Sequence, residues 1–222
     1  MRVRASSGRL PRRVAWIATL ALACVLTLAL AGCLGPSPSA EGPDPGGEAG
    51  YALVKPGKLT VVSDLANPPF DYYDSANAPA GFEVELMQAV AQKMGLECEY
   101  LPAQKFDSII PMIKQGGRAD VGASNFTITD ERLKEIDFTD AYIDSNQGIV
   151  TSSDIAQAVA SDYDSMLNAP GVSVAVQSGT TGESWAQENL PAASIKSLDD
   201  PVTALTGVQS GQFTAAIADL PV

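Results

Sequence analysis

From about residue 57 the chain alternates short β-branched runs with stretches whose apolar residues recur at helical spacing. Leu59 to Ser63 is a compact apolar strand ending at Asp64, and a loop with Pro68, Pro69 and two tyrosines follows it. Met87, Val90, Ala91 and Met94 fall at i, i+3, i+4, i+7, one face of a helix that Gly95 closes. Leu96 to Leu101 alternates, with Leu96, Cys98 and Tyr100 on one face and Glu97 and Glu99 on the other, which predicts a half-buried strand. Phe106, Ile109, Ile110 and Ile113 repeat the helical spacing. Pro111 is expected in the first turn of that helix, where N–H groups lack intrahelical partners, and Gly116 and Gly117 end it. Asp120 to Ala123 is the next strand. The order strand, helix, strand, helix, strand predicts a parallel sheet with helical crossovers, an α/β fold.

Past Asp140 the pattern changes. Gln147 to Thr151 is extended, and a polar passage rich in Asp and Ser runs to Pro170, where a boundary between two lobes is expected. The alternation resumes with a strand at Val172 to Val176 and a helix opened by Thr180, with Glu183 at capping-box spacing. Ser194 to Ser197 is a strand, Asp200 caps a helix with Pro201 at its first position, and Thr214 to Ala218 is the last strand. QGGRADVGAS and QSGQFTAAIAD echo each other: each runs from a helix end through glycine and a strand of small residues to a polar residue. The boundaries predicted are lobe 1 at 57–150 and a partial lobe 2 at 151–222.

The first 32 residues differ: five arginines and no acid, then an apolar run from Val14 to Ala31. The run is long enough to be weighed as a membrane helix, but Leu30, Ala31, Gly32 and Cys33 resemble a bacterial lipobox. Cleavage before Cys33 and lipid on its thiol are expected, with residues 33–56, rich in Pro, Gly, Ser and Glu, as a flexible tether. Removing the five arginines leaves nine basic residues against 26 acidic ones, a net −17, which argues against nucleic acid as a partner. With Cys24 removed and Cys33 lipidated, Cys98 has no intrachain partner and is read as core. The chain has no histidine, which removes His-based triads and most zinc sites.

Open α/β sheets bind ligands beyond the carboxyl ends of their strands. Asp64, Ser124, Thr180, Thr181 and Asp219 sit at such ends. Between Ser124 and the next helix, GASNFTITDER gathers donors: Thr129 is the expected cap, Arg132 lies in the first turn, and hydroxyls of Ser124 and Thr127 precede them. A helix N-terminus with a guanidinium fork suits a small carboxylate. The plainer alternative is Arg132 paired on the surface with Glu135. Asp219 on the opposite lobe suits a cation, and an α-amino acid carries both groups. Phe70 and Phe106 are placed to sandwich its side chain, although their spacing fits core packing as well.

Lys58 to Val222 resembles the extracellular solute-binding proteins of polar amino acid ABC transporters, family 3, with the two-lobed type II periplasmic binding fold. The similarity is carried in order by KLTVVSD, PPFDYYD, GFEVELMQAVAQKMG, FDSIIPMIKQGGRADV, TITDER with DFTDAY, QSGTTGE and AAIADLPV. It implies that Arg132 clamps a ligand α-carboxylate with Thr127 and Thr181, that Ser124 and Asp219 hold the ammonium, and that Asp64, Asn67, Phe70 and Phe106 line the side-chain pocket; Asn125 and Thr180 are further candidate ligand-binding residues. Asn67 stands where many relatives have a stacking aromatic and Asn125 where many have glycine; a disulfide that some relatives make at the positions of Cys98 and Ala91 cannot form here. The implied partners are a free amino acid, a transporter permease and the membrane through the N-terminal lipid, with no cofactor or metal, for a monomer held outside the cytoplasmic membrane. Val222 comes where relatives continue, so an incomplete second lobe, with weaker stability and affinity, is expected.

Two other functions are compatible with this fold. A prephenate- or arogenate-dehydratase-like enzyme of this fold would use a carboxyl such as Asp64, Asp107 or Asp219, but no placement singles one out as a proton shuttle. A sensory ectodomain would need a signalling portion after the fold, and the lipobox favours a free-standing lipoprotein. The turn GTTGE lacks the lysine of a nucleotide-binding loop.

Overall fold

The computed structural model describes residues 45–46, 51–159 and 162–220. The expected signal segment, Cys24, Cys33, most of the expected tether and Val222 lie outside the described residues. Among the described residues no helix is long and apolar enough to cross a membrane.

Two short strands, β1 (Pro45–Gly46) and β2 (Tyr51–Ala52), pair antiparallel ahead of the main fold. Packing starts before the expected position of Gly57: Leu53 is buried, and the Val54 N–H donates to Asp120 Oδ1 at 2.8 Å. The first sheet has the order β7 (Glu97–Tyr100), β3 (Lys58–Val62), β8 (Val121–Gly122), all parallel. Its crossovers are helices α1 (Phe82–Lys93) and α2 (Phe106–Gln115). They cover opposite faces because β3 is apolar on both sides: Leu59 and Val61 pack with Ala91, Met87 and Val90 of α1, while Val62 packs with Ile109 and Met112 of α2. Cys98 is a free, half-buried thiol against the α1 face, and burial pushes its pKa up. Pro111 is not in the first turn of α2. It is the sixth residue, because the helix starts at Phe106, so the ring removes an interior N–H that would have bonded the Asp107 carbonyl.

The loop expected after β3 contains a small antiparallel sheet, β4 (Ala66–Asn67), β5 (Asp71–Tyr73) and β6 (Pro79–Ala80). After β8, Thr129 caps the one-turn helix α3 (Asp130–Leu133), accepting from the Arg132 N–H at 3.2 Å. The chain then runs to β9 (Asn146–Thr151).

The second sheet has the order β11 (Ser194–Leu198), β10 (Ser173–Gln177), β12 (Ala215–Leu220), β9, with β9 antiparallel to β12. It therefore takes in residues 146–150, which the sequence reading assigned to the first lobe. Helices α4 (Ser153–Val159) and α5 (Tyr163–Leu167) occupy the polar passage in which no helix was expected. α6 (Thr181–Asn189) and α7 (Pro201–Gln209) cover opposite faces, through Ala186 and Leu190 on one side and Ala204 and Val208 on the other. Thr180 caps α6 as expected, but Glu183 reaches back to the Gly179 N–H at 2.7 Å, one residue before the usual capping-box partner. Asp200 caps α7 through the Thr203 N–H at 2.8 Å. Each sheet is thus wound on both faces, and the carboxyl ends of β3 and β10, the central parallel strands, point their polar residues into one region.

Candidate functional site

That region is a cleft between the two sheets. Its first-lobe wall holds Asp64, Asn67, Phe106, Ser124, Asn125, Thr127 and Arg132, and its second-lobe wall holds Thr180, Thr181 and Asp219. Phe70 is elsewhere. It stands edge-on to Phe82, with centroids 6.3 Å apart, in a neighbouring cavity of about 270 Å³ that shares Asn67, Asn125, Thr127 and Asp219 with the cleft. The cleft itself has only about 40 Å³ free, room for a few waters, so an amino acid enters only if the lobes separate.

Arg132 is held from three sides. Phe106 and Phe126 stack with centroids 4.5 Å apart, and the guanidinium lies 5.6 and 5.4 Å from the two ring centroids. Its Nη1 donates to the Thr127 carbonyl at 2.8 Å, and its Nη2 crosses to the Gly179 carbonyl at 3.0 Å. Glu135, the alternative surface partner, instead pairs with Lys114. Burial pulls the Arg132 pKa down and Asp219 opposes this; burial likewise pushes Asp219 up, against the Gln147 amide and Arg132. The two groups face the same cleft from opposite lobes.

The floor is a polar network. Asp64 is 8% exposed; its Oδ2 accepts from Gln177 Nε2 at 2.7 Å, a bond between lobes, and its Oδ1 lies 2.6 Å from Ser124 Oγ. Ser124 is 3% exposed and its Oγ also accepts from the Asp64 N–H, so this hydroxyl orients Asp64 and is not open to an ammonium. Asn125, at φ 51°, gives its N–H to both oxygens of buried Glu83, which also accepts from the Tyr142 hydroxyl. Burial raises the Glu83 pKa, against those two donors. At the rim, Lys105 meets Asp199 at 2.8 Å and Ser178 meets Asp107 at 3.3 Å, again across the lobes.

Gln147, Gln177, Pro201, Ile217 and Ala218 also line the cleft and were not anticipated. Gln177 carried a signal, a polar residue closing the apolar run Val174 to Val176, parallel to Asp64 after its own strand. Gln147, which donates to Thr181 Oγ1 at 2.9 Å and to Asp219, carried none, because its place follows from the antiparallel pairing of β9 with β12. Among the described residues no group of His, Cys, Asp and Glu could hold a metal ion.

The chain is 33% identical over 206 residues to the arginine-binding extracellular protein ArtP of Bacillus subtilis, covering 92% of this chain and 72% of that protein. It is 33% identical over 184 residues to the arginine-binding protein ArgT of Corynebacterium glutamicum, covering 77% of this chain but only 57% of that protein. The fold matches the crystal structure of the ancestral amino acid-binding protein AncCDT-1, a precursor of cyclohexadienyl dehydratase, with a TM-score of 0.70, 38% identity, and 74% and 71% of the two chains covered. The profile of the bacterial extracellular solute-binding proteins, family 3, spans residues 59–212, and the chain, with two lobes of the type II periplasmic binding fold, belongs to that family.

Proposed function

We propose that the chain is the substrate-binding component of an amino acid ABC transporter and takes a free basic amino acid such as arginine between its lobes. One observation carries this: a cation, Arg132, and a carboxylate, Asp219, face one cleft from opposite lobes, with a second carboxylate, Asp64, on its floor. An α-carboxylate suits the guanidinium fork, an α-ammonium suits Asp219, and a cationic side chain suits Asp64. The relatives named as arginine-binding support the basic side chain. Capture begins with lobe separation, which breaks the Gln177 to Asp64 and Arg132 to Gly179 bonds, and ends with closure, in which the Gln177 to Asp64 bond re-forms and the ligand carboxylate takes the guanidinium fork. A dehydratase reading gains no support from the relatives named above as arginine-binding proteins.

L-Arginine at about a hundred times its Kd should raise Tm by roughly 5–10 °C, and L-glutamate should not. A rise with glutamate alone rejects the basic ligand, and no rise with any amino acid rejects the reading as a whole. The reading includes a lipid on Cys33, holding a monomer at the outer face of the cytoplasmic membrane for delivery to a permease. Cys33→Ser should move the protein from the membrane fraction to the soluble one, and unchanged retention rejects the anchor.

A further inference from the structure

Beneath the cleft floor lies a carboxyl that no ligand can touch. Asp71, the first residue of β5, is fully buried, and its Oδ1 has no hydrogen-bond partner. Its Oδ2 lies 2.5 Å from Ser63 Oγ and 3.1 Å from Ser124 Oγ. Ser124 Oγ in turn lies 2.6 Å from Asp64 Oδ1. Both hydroxyls already accept backbone N–H bonds, Ser63 from Leu65 at 3.0 Å and Ser124 from Asp64 at 3.1 Å.

Apart from a long contact of 3.5 Å between the two hydroxyls themselves, three oxygen–oxygen contacts therefore share two hydroxyl hydrogens. Ser63 can donate to Asp71, and Ser124 can donate to Asp64 or to Asp71 but not to both. One proton on Asp71 Oδ2 completes the set, since it donates to Ser124, which then donates to Asp64. It also leaves a neutral Oδ1 without a partner, which costs far less than a bare buried carboxylate.

We propose that Asp71 is a proton-carrying positioning residue: as a neutral acid it donates to Ser124 and so fixes the Asp64 carboxylate toward the cleft as the negative group on its floor. The role for Asp64 rests on the basic-ligand reading above; the proton on Asp71 does not. The titratable groups whose charge reaches Asp71 are Asp64 beyond β3, Glu83 of α1, Tyr100 of β7 and Tyr142 between the sheets, and none is a cation. Burial, then repulsion from Asp64, push its pKa up from 3.8 to about 9, against the Ser63 hydroxyl. A pKa raised on folding adds stability that is whole below the unfolded value near 3.8 and is lost as pH rises through about 9.

Asp71→Asn replaces the acid O–H with an amide donor that does not titrate. In ligand-free protein the Tm of the variant minus that of wild type should climb by about 5 °C or more from pH 5 to pH 9 and then level off. A difference constant across that range overturns the proposal. Wild-type protein labelled with ¹³C at the aspartate carboxyls gives a reading that does not depend on the variant folding. One carboxyl should titrate well above neutrality, and aspartates that all titrate as ordinary acids overturn the proposal. L-Arginine calorimetry at pH 7 tests positioning: Asp71→Asn should keep the affinity within about threefold while Asp71→Ala loses at least about tenfold. A folded Asp71→Asn that loses binding as Asp71→Ala does overturns the neutral-donor role. If wild type binds no arginine, the basic-ligand reading fails, and the ligand-free measurements still decide the proton.

Discussion

Arg132→Ala should weaken L-arginine binding on the order of a hundred- to a thousandfold, measured by calorimetry at pH 7. Removing one partner of a desolvated, fork-bonded charge pair costs about 3–5 kcal/mol, because the other charge stays buried without compensation. The loss should come without unfolding. Among the described residues Arg132 makes no ion pair, its guanidinium donates to the carbonyls of Thr127 and Gly179, and the Phe106–Phe126 stack under it remains. Arg132→Lys keeps the charge but not the fork or the planar stack, so it should recover only part of the affinity. Unchanged affinity in Arg132→Ala would place the carboxylate site elsewhere.

Gly179→Ala should act on closure. Gly179 sits at φ +79°, where a side chain is strained, and a Cβ there would come 2.8 Å from Asp107 Cβ and 3.0 Å from Asp107 Cα, on the opposite lobe. The lobes cannot meet as they do without one backbone giving way, and the carbonyl that Arg132 reaches moves with them. Affinity should fall about tenfold or more, and small-angle scattering should show a more open protein. Gly171→Ala is the control, since at φ +87° it carries the same backbone strain with nothing within 4 Å of the added Cβ. It should lower Tm by a few degrees at most and leave affinity intact. Equal behaviour of the two variants would show that Gly179 matters through strain alone.

Much of this molecule was legible in its residues because the periodic signals were local. β-Branched runs fell within a residue or two of strands β3 and β10, and Thr129, Thr180 and Asp200 are caps because a short hydroxyl or carboxylate ahead of an apolar-periodic stretch has little else to bond. What escaped depends on distant partners. Residues Asp71 to Tyr73 form a strand only because Asn67 and Ala80 come back to flank them. Gln147 reaches the cleft only because β9 pairs with a strand some 70 residues away. α4 and α5 lie in a polar passage with no clear apolar period, and for α5 tertiary packing of Leu167 decides it. In the site, residues at strand ends were found by position alone. Phe70 failed that test because β4 and β5 turn it toward Phe82, and Ser124 is spent on carboxylates that no spacing revealed.

The bonds that join the lobes differ in exposure, and this bears on how long a ligand stays. The Lys105–Asp199 pair is about two-thirds exposed on both sides, so salt screens it and the side chains readily exchange it for water. The Gln177–Asp64 bond is buried, so it must begin to break before water reaches either partner. Residence time should therefore respond weakly to ionic strength and strongly to what lies at position 177. The rim pair guides the lobes together, while the rate of release is governed from the floor of the cleft.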